Sequence, residues 1–372
     1  MVILQKTIPS PGHMYPLERI GKAEEIFFFD IETTGFSGDS SRLYLIGGCF
    51  FKNGSWNLIQ WFADTLKAEE ELLHSFFSFL KPYRILVHFN GDGFDIPYLL
   101  KRCRHYCLPY DFSSVTSLDL YKKIKPYQKI LGLDSLRQKS IEHFLGVSRQ
   151  DVYTGGQLIP VYKDYLATCK KPLMDLLTLH NEDDLKGMAA ILPILCYPDF
   201  LEHPMHFVSQ QFQENPDPLG SPQYRLSITC ESDYEIPVPF QAQTSYVECL
   251  AERNRLTLSV RLFSGTLKHF YPNYKDYYYL IYEDAAVHKS VGEYVDKSAR
   301  KKATAKTCYT KKEGCFLPQF EPVWEPAMKQ GYTDKICYAS LPDISWQDEK
   351  MVQRYLCQVL EHLKQSSKKA RY

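Results

Sequence analysis

Two carboxylates, Asp30 and Glu32, stand one residue apart in the apolar run Ile26-Phe-Phe-Phe-Asp30-Ile-Glu32, and nothing else in the sequence constrains the fold as much. A short apolar run of this kind predicts a buried strand. Alternate side chains of a strand share a face, so Asp30 and Glu32 are expected to project together. Two like charges in such a place repel each other and are expensive to desolvate. A hard divalent cation, Mg²⁺ or Mn²⁺, relieves both costs, because such ions take carboxylate oxygens. The competing expectation is a strand end whose acids are simply solvated.

The length of 372 residues predicts two domains. A composition 44% hydrophobic and 24% charged supplies packed cores, which excludes disordered and fibrous classes. Lys and Arg total 44 against 44 Asp and Glu, so a globally basic coat is excluded while a local basic patch is not. No apolar run reaches the roughly 18–20 residues of a membrane helix, and Met1–Tyr15 lacks signal-peptide features. Eleven scattered cysteines argue against a disulfide framework, so a cytoplasmic location is expected. The one close cluster, Cys103-Arg-His105-Tyr-Cys107, lacks a second ligand pair for structural zinc; two buried thiols one helical turn apart are expected.

Strands are predicted over 26–31, 43–51, 56–63, 85–89 and 115–121. Lys52-Asn-Gly54-Ser marks a hairpin between the second and third. Helices are predicted over 68–80, 98–107 and 173–192. The pattern gives an α/β domain over 20–198, with a mixed sheet flanked by helices. Residues 199–222, with Pro, Gln and Asn and little periodicity, read as a linker. Residues 223–372 read as a β-rich α+β domain closed by a helix over 346–364.

Two further acidic sites join the first. Asn90-Gly-Asp92-Gly-Phe94-Asp95-Ile-Pro97 follows a predicted strand, placing Asp95 near the strand ends. His180-Asn-Glu182-Asp183-Asp184 lies on the long helix, where i,i+4 spacing stacks His180 on Asp184. A histidine beside a metal-holding carboxylate can take a proton from water near neutral pH.

These motifs resemble the four acidic residues of the DEDD 3′–5′ exonucleases, which are ribonuclease H-like enzymes. The set is most similar to the YprB-like ribonuclease H-like family, with DIETTG, an NG-x-x-FD-x-P segment and HN-x-x-D, and with Leu158-Ile-Pro160-x-Tyr162-x-x-Tyr165 as a further match. The similarity covers roughly residues 27–195. It implies that Asp30 bridges two divalent ions, Mg²⁺ or Mn²⁺, that Glu32 and Asp184 bind the water-activating ion, and that Asp95 holds the second. It also implies that His180 is the general base and that single-stranded DNA or RNA is cut from its 3′ end. The pattern departs from the family in one respect: the histidine stands four residues before Asp184, a spacing usual with tyrosine, whereas histidine usually precedes by five. Asp183 is the competing ligand at a separation of three; i,i+4 alignment favours Asp184.

Asn90, Phe94 and Thr33 are candidate substrate contacts, with turn and core packing as the competing roles for Asn90 and Phe94. Asp119, in Ser117-Leu-Asp119-Leu, is a candidate accessory acid or a strand-end residue that bonds a turn. In the second domain, Tyr271, Tyr274, Tyr277, Tyr278 and Tyr279 precede the basic run Lys297, Arg300, Lys301, Lys302, Lys306, Lys311 and Lys312. Stacking rings and cations are what a single-stranded nucleic-acid platform needs; a tyrosine-rich sheet core is the alternative. The rival functions are a nucleic-acid-binding protein or a protein-interaction scaffold on a degenerate nuclease fold.

Overall fold

The computed structural model describes residues 1–10, 15–147, 153, 155–216 and 222–367. The chain divides into two compact units, Met1–Gln128 with Leu133–Asp199, and Lys129–Gly132 with Phe200–Tyr372.

The first unit is built on β1 (Val2–Ile8), β2 (Ile26–Thr33), β3 (Leu43–Lys52), β4 (Ser55–Phe62), β5 (Ile85–His88) and β6 (Thr116–Asp119). Their order in the sheet is β1-β4-β3-β2-β5-β6. The first four strands pair antiparallel, while β2–β5 and β5–β6 are parallel. The helices are α1 (Glu69–Leu80), α2 (Asp95–His105), α3 (Leu120–Ile124), α4 (Gln138–Phe144), α5 (Gly155–Thr168), α6 (Lys171–Ala190) and α7 (Cys196–Glu202). The mixed α/β architecture expected from the sequence is the one observed. Asn53 and Gly54 both have positive φ, the backbone that a tight β3–β4 hairpin requires. Phe27, Phe29, Trp61, Leu72, Phe76 and Leu99 meet in one core, which fixes the strands under the helices.

Several local expectations change. β1 was not foreseen, because Val2–Ile8 alternates weakly; it forms by pairing with β4, more than fifty residues away. α2 starts at Asp95 rather than at Tyr98, with Pro97 in its first turn, where the missing N–H costs nothing. The strand expected over 115–121 stops at Asp119, whose side chain caps α3. Cys103 is buried, but Cys107 lies beyond the end of α2 with positive φ and is exposed, so the two thiols do not share a helical face.

The second unit holds β7 (His206–Pro216), β8 (Pro222–Glu231), β9 (Phe240–Gln243), β10 (Val247–Glu252), β11 (Arg255–Arg261), β12 (Phe263–Phe270), β13 (Tyr277–Leu280), β14 (Ala285–His288), β15 (Arg300–Lys302), β16 (Tyr309–Gln319) and β17 (Cys337–Ser340), with α8 (Lys289–Gly292) and α9 (Glu349–Ser366). Three sheets form, ordered β7-β8-β11-β10-β9, β12-β16-β17 and β14-β13-β15. The expected linker is therefore mostly strand. Gln210, Gln211 and Gln213 carry no apolar periodicity, yet β7 pairs along its length with β8. Residues 217–221 of that stretch lie outside the described residues.

The tyrosine stretch is half-buried, and Tyr271, Tyr274, Tyr277 and Tyr279 pack against a small core of Ala286, Ala303 and Cys308. Tyr271 and Tyr277 stack at 4.9 Å, and the hydroxyls of Tyr279 and Tyr309 both donate to Asp284. Arg300 covers the ring of Tyr278 at 4.5 Å, and Lys301 covers Tyr279 at 5.1 Å. These neighbours take up part of the ring faces expected to take bases. Tyr282 and Tyr294, 80% and 91% exposed, keep theirs open.

Candidate active site

The parallel pairing of β2 and β5 puts their carboxyl ends on one edge of the sheet. In sheets of this type, ligands bind outside those ends. Asp30 and Glu32 lie at the end of β2, and Asp95 opens the helix that follows β5. α6 packs across β2 and β3 and delivers His180, Asn181 and Asp184 to the same place.

His180 Nε2 lies 3.6 Å from Glu32 Oε1 and 3.4 Å from Asp184 Oδ2. One ligand atom from each of the three falls within 4.8 Å of the others. His180 and Glu32 are buried, and Asp184 is partly open. The i,i+4 contact expected between His180 and Asp184 is thus observed.

Asp30 and Asp95 complete the acidic group electrostatically. Burial, then the charges of Asp95, Glu32 and Asp184, hold the Asp30 carboxyl well above the usual carboxylate range. The amide of Asn181 donates to Asp30 Oδ2 at 3.0 Å and opposes that rise. Burial pushes Asp95 up to about 7, against backbone N–H groups of Asp95 and Ile31 that favour its ionised form. Glu32, Asp184, Asp30 and Asp95, with an imidazole beside the first two, form an oxygen-rich donor set suited to hard divalent cations.

A profile of the RNase H superfamily matches residues 27–196. The first unit is ribonuclease H-like. DNA polymerase 1 of Sulfurisphaera ohwakuensis is 49% identical over 39 residues, which is 10% of this chain and 4% of that one. Among solved structures, the family B DNA polymerase from the hyperthermophilic archaeon Pyrobaculum calidifontis gives a TM-score of 0.37 at 12% identity, over 68% of this chain and 35% of that chain. The zinc-bound E. coli ExoI–ssDNA complex gives a TM-score of 0.27 at 11% identity, over 92% and 72%. The chain thus spans only a small part of the polymerases it matches.

Within the ribonuclease H-like domain, a second cluster of His88, Asp92 and Asp119 also has metal-ligand proximity. His88 Nδ1 accepts the Gly91 N–H at 3.0 Å, and Nε2 meets the Ser117 hydroxyl at 2.8 Å, so both ring nitrogens are engaged. Burial lowers the pKa of this ring, which favours the neutral form. Asp119 accepts from the backbone N–H groups of Asn90, Asp92 and Lys122. The group therefore shapes the loop that carries Asp95 into the site, and Asp119 bonds a turn. Asn90 sits in that loop with φ +62°, and Thr33 Oγ1 donates to the Gly35 carbonyl in the turn after β2.

Phe94 is half-buried, 5.6 Å from the ring of Tyr98. Phe36, which the sequence reading missed, is 93% exposed and meets Phe94 edge-on at 6.4 Å. Its signal was an aromatic directly after the Thr-Thr-Gly35 turn. The loop below it is tethered: Arg102 Nη1 donates to the Gly38 carbonyl at 2.9 Å, and the same guanidinium pairs with buried Glu69 through Nε at 2.6 Å and Nη2 at 2.8 Å. Asn181 and Gln60 were also missed. Asn181 stands inside the HN-x-x-D segment without a role assigned to it, and nothing local distinguishes Gln60, because the partners of both are far away in sequence.

Proposed function

We propose that this chain is a divalent-metal-dependent 3′–5′ exonuclease of the DEDD type, in the YprB-like subgroup, acting on single-stranded DNA or RNA. The observation that carries the reading is the convergence of Glu32, His180 and Asp184 within 4.8 Å, in the same field as Asp30 and Asp95. Asp30, Glu32, Asp95 and Asp184 would hold two ions, Mg²⁺ or Mn²⁺. When bound, the ions supply charge stabilisation at the scissile phosphate and lower the pKa of the attacking water.

His180 Nε2 faces the Glu32 and Asp184 oxygens and accepts the proton of that water. Phe36 and Phe94 offer ring faces to the terminal base, while Asn90 and Thr33 line the approach. Phosphodiester hydrolysis then leaves a nucleoside 5′-monophosphate. The β-rich unit guides the strand, with exposed Tyr282 and Tyr294 for bases and exposed Lys301 and Lys302 for phosphates. Assignment of the domains as residues 20–198 and 223–372, and a cytoplasmic site of action, belong to the same proposal. No helix among the described residues is long and apolar enough to cross a membrane.

The test is incubation of the purified protein with 5′-labelled single-stranded DNA and RNA, with Mn²⁺ or Mg²⁺. A ladder shortening from the 3′ end is expected, abolished by EDTA and by Asp30→Ala/Glu32→Ala. Intact oligonucleotide under every condition sinks the reading.

A further inference from the structure

Asp30, Gly47 and Gln60 are direct register partners across three adjacent strands, so they form one row on one face of the sheet. Asp30 and Gln60 are two strand spacings apart, about 10 Å, which is too far for contact. Gly47 leaves a gap between them, and Asn181 of α6 fills it. A Cβ added at Gly47 would lie 1.9 Å from Asn181 Oδ1 and 2.7 Å from Leu185 Cδ1, so any larger residue would push the helix away. Gln60 is 2% exposed and Asn181 is fully buried.

The hydrogen bonds of this row can run in only one direction. Gln60 faces the backbone carbonyl of Thr178 at 2.8 Å, and a carbonyl only accepts. The Gln60 group there must therefore be its NH₂. The second N–H of that NH₂ reaches Asn181 at 3.0 Å, so Asn181 presents Oδ1 to it. The Asn181 NH₂ is then turned to Asp30 Oδ2. The orientation of a group beside the candidate site is thus dictated from a backbone carbonyl, through two side-chain amides.

We infer that Asn181 is a positioning residue for a divalent cation. It is locked by Gln60 over Gly47, so that its N–H holds one oxygen of Asp30 and fixes the orientation in which that carboxylate would hold a cation. The inference rests on the metal reading above; it gives the Asn of the HN-x-x-D segment a physical role and adds Gln60, which no motif marks. Partners of this outer kind fix ligand orientation, and losing one costs roughly 10–100-fold in metal affinity.

The experiment is Mn²⁺ titration by calorimetry on the full-length chain, well below each variant's melting temperature, beside Asp30→Asn. Asn181→Ala is expected to weaken Mn²⁺ binding by roughly 10–100-fold. Gln60→Met, which leaves the Asn181 amide in place but unlocked, is expected to weaken it in the same direction by less. Because Gln60 acts through Asn181, the double variant should bind Mn²⁺ as Asn181→Ala does, although its melting temperature falls further. If the two losses multiply, or if Asn181→Ala binds Mn²⁺ like wild type while Asp30→Asn does not bind, the inference is overturned. Wild-type protein that takes up no Mn²⁺ overturns the metal reading itself, and this inference with it.

Discussion

His180 Nε2 stands 3.4 Å from Asp184 Oδ2, one helical turn along α6, and the same nitrogen is 3.6 Å from Glu32 Oε1 on β2. In the proposed mechanism this imidazole, held between two carboxylates from different elements, takes a proton from the attacking water. His180→Ala should lower kcat by roughly 10²–10⁴-fold at saturating Mn²⁺, as loss of a general base does. Single-turnover cleavage across pH checks it. A variant that keeps wild-type kcat removes His180 from the mechanism.

The acidic cluster should make the metal-free protein less stable as pH rises. Asp95 titrates near 7 in the folded chain, and Asp30 is raised as well, against roughly 3.9 for an unfolded Asp. The folded state therefore binds more protons than the unfolded state between those values, so stability falls as pH climbs from about 4 through about 7. In EDTA, the melting temperature should be lower at pH 8 than at pH 5. Asp95→Asn should flatten that slope, and Mn²⁺ should raise the value at pH 8. A melting temperature that rises steadily over this range contradicts the placement of these groups.

Glu69 and Arg102 form a buried bidentate pair, to which the Leu43 N–H and the Tyr106 hydroxyl also donate. Removing one partner strands the other charge. Arg102→Met should cost about 3–5 kcal/mol, read by urea denaturation. It should also free the Gly38 loop, so that proteolysis begins near residues 36–41. A loss below about 1 kcal/mol would place the pair among ordinary surface bridges.

Phe36 offers the opposite combination. An exposed ring contributes little to the fold, so Phe36→Ala should change stability by no more than about 0.5 kcal/mol. Stacking a base on it is worth about 1–3 kcal/mol. Fluorescence anisotropy with a short single-stranded oligonucleotide and the Asp30→Asn background should show that weakening. Unchanged affinity would leave Phe36 outside the substrate path.

Much of the site is legible locally. Strand alternation explains why Asp30 and Glu32 travel together, and helical spacing explains why His180 meets Asp184. The errors have physical causes too. β7 looked like a linker because a paired strand with polar side chains has no apolar rhythm; its stability comes from β8. The tyrosine stretch turns some of its rings on one another and stays half-buried, because composition does not say which faces its rings present.

What the sequence determined by itself is therefore the set of groups whose neighbours lie within one turn or one pleat: the paired carboxylates, the histidine stacked on an aspartate, the hairpin at Asn53-Gly54. Tertiary structure decided everything that depends on a partner far along the chain. Gln60 reaches Asn181 across 121 positions, and Asn181 reaches Asp30 across 151. Backbone geometry sets spacing only over a few residues, whereas these contacts exist because packing α6 over the gap at Gly47 brings three distant segments to hydrogen-bond distance.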